Sequence, residues 1–365
     1  MSFFNNSSSN GSVLERSLSE ILAVIKPSEG DVSARTQIIN ELRAIVESIQ
    51  NPCLRGAAVE PFGSFVSNLY SRWGDLDISI QVHRAQFPVF SNYHRTALRE
   101  IMEALQLRGG FRILNFLPDI RVPLLVVEST RNNISCDISI NNWPGQVKSK
   151  ILLWITQIDE RFQDMVLLIK EWAKSEDINN SKNRTLTSYA LCLLAIFHFQ
   201  TCEPAIFPPL NEIYAGNTID NFGVMKVTSA DDLRNIHDTC TANIERFRRN
   251  NSRNVNRSCL SELLVSFFEK FSRIDMMAPE QAICTYTGRW ELRRNNTRWR
   301  RTSPFIVEDP FERPENAARA VTFQMRRKMS AAFQTTHQKL LLAGRDRSSL
   351  IYNLVRPEIS SQIIT

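Results

Sequence analysis

No Cys-x-x-Cys pair occurs among the seven cysteines, which are scattered at Cys53, Cys136, Cys192, Cys202, Cys240, Cys259 and Cys284. An odd, dispersed set in a chain of 365 residues excludes a disulfide-stapled scaffold. It reads as reduced thiols and a cytoplasmic or nuclear location. Long apolar runs are lacking too. The most apolar stretch, Ala190 to Phe199, is too short to cross a bilayer and contains His198, so no membrane partner is expected. The opening MSFFNNSSSNGS has no basic start followed by an apolar run, which excludes a secretory signal. No internal repeat is present. The net charge is a modest +6 with a pI near 9.0, a mild pointer to a polyanionic partner.

What is there suits a folded chain of two domains. Hydrophobic residues make up 43% and charged residues 22%, both ordinary for globular proteins. Residues 1–12, rich in Ser and Asn, read as a disordered tail. Residues 13–52 hold two helices by apolar spacing, with Leu14, Leu18, Ile21, Leu22 and Ile25 in one and Ile38, Ile39, Leu42, Ile45 and Val46 in the other. The Pro27–Gly30 stretch separates them. Residues 53–146 change texture. Segments rich in Val and Ile at Asp75–Val82, Arg121–Val127 and Ile134–Ile140 read as strands. Tyr93–Leu107 reads as a helix ended by Gly109-Gly110. Residues 147–345 are helical again, apart from an Arg- and Trp-rich loop region, Cys284–Pro314, before a last helix at Asn316–Leu342. Residues 346–365 read as a tail.

The run Asp75-Leu76-Asp77-Ile78-Ser79-Ile80-Gln81-Val82 alternates. As a strand it buries Leu76, Ile78, Ile80 and Val82 and places Asp75 and Asp77 on the opposite face, about 7 Å apart. Ile134-Ser135-Cys136-Asp137-Ile138-Ser139-Ile140 alternates in the same way and adds Asp137. Three carboxylates on neighbouring strands repel one another unless cations neutralise them. Two Mg²⁺ (or Mn²⁺) ions there would suit an attack on a phosphate ester. An isolated Asp-x-Asp is more often a solvated sheet face. Here Gly63-Ser64 stands shortly before it, and Gly lets backbone approach a ligand while a Ser hydroxyl can hold a phosphate.

Phe62-Gly63-Ser64, then Asp75-Leu76-Asp77, then a third Asp resembles the polymerase-β-like nucleotidyltransferases. The whole string from Phe62 to Asp77, with Asn68-Leu69-Tyr70-Ser71-Arg72-Trp73-Gly74 inside it, resembles terminal uridylyltransferases and non-canonical poly(A) polymerases, most closely the plant small-RNA uridylyltransferases. The likeness runs over residues 14 to 345, without the long low-complexity tail of many plant relatives. It implies an α+β fold: a nucleotidyltransferase palm with a mixed sheet, and a helical central domain onto which the N-terminal helices pack. The nucleotide would lie in the cleft between them.

Further motifs gain meaning from that resemblance. Lys170 and Lys174 are four apart on one helix and share a face, and the resemblance makes them phosphate ligands rather than a solvated stripe. Thr187 reads as an N-cap, placing Ser188 in the first turn, where anions bind. Tyr189 is then a stacking platform for the base. Glu308-Asp309-Pro310-Phe311-Glu312 resembles the nucleotide recognition motif, with Asp309 and Glu312 as acceptors. Two departures stand out. Glu315 occupies the position of a His that helps yeast-type enzymes select uracil, and Lys148 that of an Asn that contacts ribose. A carboxylate suits an exocyclic amine better than a uracil carbonyl. The segment Arg289–Arg301, with six Arg and two Trp, reads as a surface for the RNA 3′ end. No separate RNA-binding domain is recognisable, so a small-RNA effector protein is the expected means of substrate delivery.

The resemblance implies template-independent addition of UMP from UTP to an RNA 3′ hydroxyl. Asp75, Asp77 and Asp137 would be the metal-binding catalytic set. Gly63, Ser64, Lys148, Lys170, Lys174, Ser188, Tyr189, Asp309, Glu312 and Glu315 would bind the nucleotide. Addition of AMP from ATP and a catalytically silent RNA-binding protein are the competing readings.

Overall fold

The structure, a computed structural model, describes residues 7–82, 93–220, 223–250, 255–342 and 346–364. In chain order its elements are α1 (Ser7–Ile25), α2 (Glu29–Glu47), β1 (Ala58–Phe62), α3 (Gly63–Val66), β2 (Leu76–Gln81), α4 (Tyr93–Arg108), β3 (Phe111–Leu117), β4 (Leu124–Ser129), β5 (Ser135–Ile140) and α5 (Trp143–Thr156). There follow α6 (Arg161–Ser175), α7 (Ser188–Thr201), α8 (Leu210–Ile213), α9 (Ala230–Asn250), α10 (Leu260–Phe271), α11 (Ile274–Met277), β6 (Gln281–Cys284), β7 (Arg289–Leu292), β8 (Val307–Glu308), α12 (Phe323–Leu342), α13 (Arg347–Leu354) and α14 (Pro357–Ile364). The chain is α+β and divides into two units. Residues 26–155 with 227–234 form one, and residues 1–25, 156–226 and 235–365 form the other.

The first unit is built on a five-stranded sheet of order β1-β2-β5-β4-β3. The β2–β5 pair is parallel and the other pairs are antiparallel, so the sheet is mixed. β1 is an edge strand, which is why it tolerates Pro61. Alternation sorts β2 and β5 into two faces. Leu76, Ile78, Ile80, Cys136, Ile138 and Ile140 form one buried core with Ile38, Leu42, Leu98 and Ile101 of α2 and α4. Each such side chain contributes about 1.5–3 kcal/mol by leaving water. Asp77 and Asp137 are left on the other face.

α2 thus belongs with the sheet, not with the helical block as expected for residues 13–52 as a whole. Its buried stripe, Arg35, Ile38, Ile39, Leu42, Ile45 and Val46, faces β1 and α4. Ser28 starts it with a capping box: Asp31 N–H donates to Ser28 Oγ at 3.2 Å, and Ser28 N–H donates to Asp31 Oδ2 at 2.8 Å.

The helical unit is centred on α6 and α7. Every residue of α7 from Ala190 to Gln200 is buried, as befits a helix that is apolar all round. Trp172 of α6 donates from Nε1 to Thr336 Oγ1 at 2.9 Å and packs against the Phe268 and Phe333 rings. α1 packs against α6, α10, α13 and α14. The expected loop region Cys284–Pro314 contains β7 and β8, which flank β6 in a three-stranded sheet, β7-β6-β8. The last long helix starts at Phe323, not Asn316. Asn316 is engaged elsewhere, accepting from Val307 N–H at 3.0 Å and donating to Phe305 O at 2.9 Å.

Residues 346–364 are helical where a tail was expected. Asp346 caps α13. Arg356 makes a bidentate pair with the buried Glu171, at 2.8 and 3.1 Å, and Arg347 pairs with Glu20 at 2.8 Å. At the other end, residues 1–6 lie outside the described residues, and α1 begins within the stretch expected to be disordered. Among the described residues no helix is long and apolar enough to cross a membrane.

Candidate active site

Asp77 and Asp137 are register partners in the parallel β2–β5 pair. Neighbouring strands lie about 4.8 Å apart. Two charges about 5 Å apart repel by about 3 kcal/mol at an effective dielectric constant of about 20. Asp75 is exposed at the mouth of β2, and Asp77 and Asp137 are half-buried. The negative field is felt by the neighbouring thiol. Burial first, then Asp137, Asp75 and Asp77, push the Cys136 pKa up to about 12, against the opposing pull of Arg35.

Gly63 locks against this set. It closes β1 with φ +68°, and a Cβ there would stand 1.9 Å from Asp77 Oδ2. The missing side chain is therefore what leaves room for the carboxylate. Gly63 N–H donates to Ser149 Oγ at 2.6 Å. Ser149 is buried on α5, so the short α3 turn with Ser64 is tied to that helix. Farther along the carboxylate face, Ser79 Oγ accepts Asn142 N–H at 2.9 Å, fixing the approach to α5. Lys148 is half-buried on α5.

The three carboxylates offer the hard oxygen donors that Mg²⁺ and Mn²⁺ prefer, in a field that a cation would relieve. Among the described residues, no three or more His, Cys, Asp and Glu side chains already form a metal-holding group. Strand register places Asp77 and Asp137 side by side, with Asp75 immediately before β2. The donor chemistry fits.

The remaining candidates lie in the helical unit. Thr187 is the N-cap of α7, accepting Ala190 N–H at 3.0 Å, so Ser188 opens the helix. Ser188 Oγ lies 3.3 Å from Asn179 Oδ1. Lys170 and Lys174 are half-buried on α6. Lys170 is close enough to Cys192, one turn into α7, to oppose the burial that lifts that thiol to about 11. Tyr189 Oη donates to Asp309 Oδ1 at 3.0 Å. Burial first, then Asp309 and Glu312, hold the Tyr189 phenol well above its usual pKa. Asp309 Oδ1 also accepts the Phe311 and Glu312 amides at 3.0 and 3.2 Å. Asp309 N–H bonds Glu315 O, and Glu315 N–H bonds Glu312 O, both at 2.8 Å. One turn therefore gathers Tyr189, Asp309, Glu312 and Glu315.

Sequence reasoning missed what supports this turn. Glu308 is buried, taking Trp299 Nε1–H at 2.9 Å and the Cys284 thiol at 3.3 Å, and burial raises its pKa. Trp299 is thus an anchor and not a stacking surface for RNA. Trp290 likewise packs edge-on against Phe197. Arg293 clasps the loop from inside, donating to the carbonyls of Ala278, Arg300, Arg301 and Ser303. Arg294, Arg298, Arg300 and Arg301 remain exposed. No spacing rule marks Glu308, but its neighbour Asp309 does.

A palm with paired aspartates in register, set behind a glycine turn, defines a nucleotidyltransferase class. Residues 14–157 match the family described as poly(A) RNA polymerase, mitochondrial-like, central palm domain. The chain belongs to the family of Arabidopsis thaliana Protein HESO1, the terminal nucleotidyltransferases of the non-canonical poly(A) polymerase type. It is 46% identical to HESO1 over 353 residues, covering 96% of this chain and 68% of HESO1. It is 24% identical to Schizosaccharomyces pombe poly(A) RNA polymerase cid11, over 80% of this chain and 55% of that protein. Among solved structures, MgGTP-bound Cid1 poly(U) polymerase superposes with a TM-score of 0.72 at 23% identity, covering 92% of this chain and 98% of that one.

Proposed function

We propose that the chain is a template-independent RNA 3′-terminal nucleotidyltransferase that adds UMP from UTP. The observation that carries this reading is the Asp77–Asp137 register pair with Gly63 pressed against Asp77. Asp75, Asp77 and Asp137 would hold Mg²⁺, which when bound supplies activation of the 3′ hydroxyl and charge neutralisation of the departing pyrophosphate. The chain's own part is positioning. Asp137 takes the proton of the attacking hydroxyl. Gly63 and Ser64 hold phosphate oxygens from the α3 turn, and Lys148 reaches the ribose or a phosphate. Lys170, Lys174 and Ser188 neutralise and orient the triphosphate. Tyr189 stacks on the base, with its hydroxyl held by Asp309. Glu312 and Glu315 present acceptors to the base edge.

Glu315 favours a second reading, addition of AMP from ATP, because a carboxylate accepts from the adenine amine. The relative cid11 carries a poly(A) polymerase name. A catalytically silent RNA-binding role fits less well, since it leaves the Gly63–Asp77 fit without a purpose. The six described cysteines are free thiols, and the proposed location is the cytosol or nucleus. A small-RNA effector protein is the proposed means of delivery. The test is extension of a labelled oligoribonucleotide with Mg²⁺ and each of the four NTPs separately. Extension chiefly with UTP supports the reading, extension chiefly with ATP supports the second, and RNA binding without extension by any NTP removes both.

A further inference from the structure

We propose that Arg35 is a positioning residue for the metal-binding aspartates, fixing the loop that delivers Asp75 to the head of β2. The inference rests on the reading of Asp75, Asp77 and Asp137 as metal ligands.

Arg35 is on α2 and is fully buried. Its Nη2 donates to the carbonyls of Arg72 at 3.0 Å and Gly74 at 2.5 Å, and its Nη1 to Asp31 O at 3.0 Å. The guanidinium stacks over the Tyr70 ring, 4.8 Å from its centroid. The peptide whose carbonyl it holds at Gly74 is the one that leads into Asp75. Gly74 N–H also donates to Ser71 O at 2.7 Å, so residues 71–74 form a tight turn with carbonyls turned toward Arg35. Arg72, 3.7 Å from Asp31, straps the same turn from its outer side. Asp31 is itself held by its capping box with Ser28.

The chemistry of this arrangement is unusual for a purely structural contact. Every direct acceptor of the Arg35 N–H groups is a neutral carbonyl, and Nε has no partner. Burying a guanidinium whose hydrogen-bond acceptors are all neutral is costly, and apolar replacement of buried charge is often neutral or stabilising. Two tasks justify keeping it. The planar fork spans two carbonyls at once, which neither Lys nor an apolar side chain does. Its charge also stands behind the aspartates: Asp31 and Asp75 are the carboxylates whose attraction opposes its desolvation. A loop held at Arg72 and Gly74, two residues apart, keeps the Asp75 backbone in place beside Asp77, so that the ligands need little reorganisation to close on a cation.

The experiment compares Mn²⁺ binding, read by the electron paramagnetic resonance of free Mn²⁺, for the full chain and for Arg35→Met and Arg35→Lys. Circular dichroism and a thermal melt establish folding. Arg35→Met is expected to fold, to bind Mn²⁺ at least tenfold more weakly, and to need correspondingly more Mg²⁺ for half-maximal RNA extension while the KM for UTP changes less than threefold. Arg35→Lys, which keeps the charge and loses the fork, is expected to weaken Mn²⁺ binding at least threefold, and it carries the test if the Met variant does not fold. Mn²⁺ binding within twofold of wild type in the folded variant overturns the proposal. A wild-type chain that binds no Mn²⁺ overturns the metal-ligand reading itself, a distinct result.

Discussion

Replacing Gly63 by Ala places one methyl group where the account has least room for it. At φ +68° any Cβ is strained, by about 1–2 kcal/mol. This one would also lie 1.9 Å from Asp77 Oδ2, 2.6 Å from Cγ and 3.0 Å from Cβ. Ordinary carbon–oxygen contact needs well over an ångström more than the first of these. Either the Asp77 side chain turns away or the β1–α3 turn shifts by about that amount. A displacement of about 1 Å at a reacting centre costs on the order of 100-fold in rate, or about 2.7 kcal/mol. Overpacking adds about 1–3 kcal/mol to the loss of stability. Gly63→Ala is therefore expected to lose at least about 100-fold in kcat/KM for RNA extension with UTP and Mg²⁺, with a melt a few degrees lower. Gly56→Ala is the control. It has φ +70° and nothing within 4 Å of the added Cβ, so it carries the strain without touching Asp77 and should keep its activity. Gly63→Ala with more than a third of wild-type activity would refute the claim that this glycine exists to seat Asp77.

Other consequences are independent of that glycine. Tyr189→Phe removes the 3.0 Å bond to Asp309 and keeps the ring. Stability should fall by about 1 kcal/mol, and the KM for the nucleotide should rise more than kcat falls, read by steady-state extension. For Glu308, burial raises the folded-state pKa above the usual 4.5. The folded state thus favours the protonated form, and Glu308 weakens stability as pH rises through the folded pKa. Relative to Glu308→Gln, the wild type should lose stability between pH 4.5 and neutrality, measured by urea denaturation across that range. A difference that grows in wild type's favour with pH would contradict the sign. Trp299→Ala should act through the same turn: by emptying a buried site and freeing Glu308, it should cost about 3–5 kcal/mol. RNA affinity should fall no more than the lost folded fraction explains, by filter binding.

The aspartates were legible because a strand's period of two is written directly in Asp75–Val82 and Ser135–Ile140, and the α7 start because Thr187 caps it as its side chain predicts. Two strands of the five-stranded sheet were not. β1 carries Pro61, and β3, Phe111–Leu117, bulges between Ile113 and Asn115, so neither alternates cleanly. The allegiance of α2 was illegible for another reason. Its apolar stripe specifies a buried face but not which surface buries it. Arg35 was hidden in the same way, since a basic residue on a helix is usually solvated and only the fold brings it against Arg72 and Gly74. The two Trp of the Arg-rich loop read as stacking surfaces from composition, while Glu308 turns Trp299 inward and Phe197 packs edge-on against the half-buried Trp290. The tail after Arg345 lacks a strong period, and it is held by Arg356 on Glu171 and Arg347 on Glu20, contacts that sequence distance conceals.

The central claim is that the carboxylates on β2 and β5 perform RNA 3′-end extension. It is tested most directly by single-turnover extension of a labelled oligoribonucleotide with UTP and Mg²⁺, comparing wild type with Asp75→Ala/Asp77→Ala at matched folded fraction. The account predicts one or more added nucleotides by wild type and none by the variant, with a thermal melt unchanged or higher because like-charge repulsion is relieved. Extension by the double variant at a wild-type rate would contradict it.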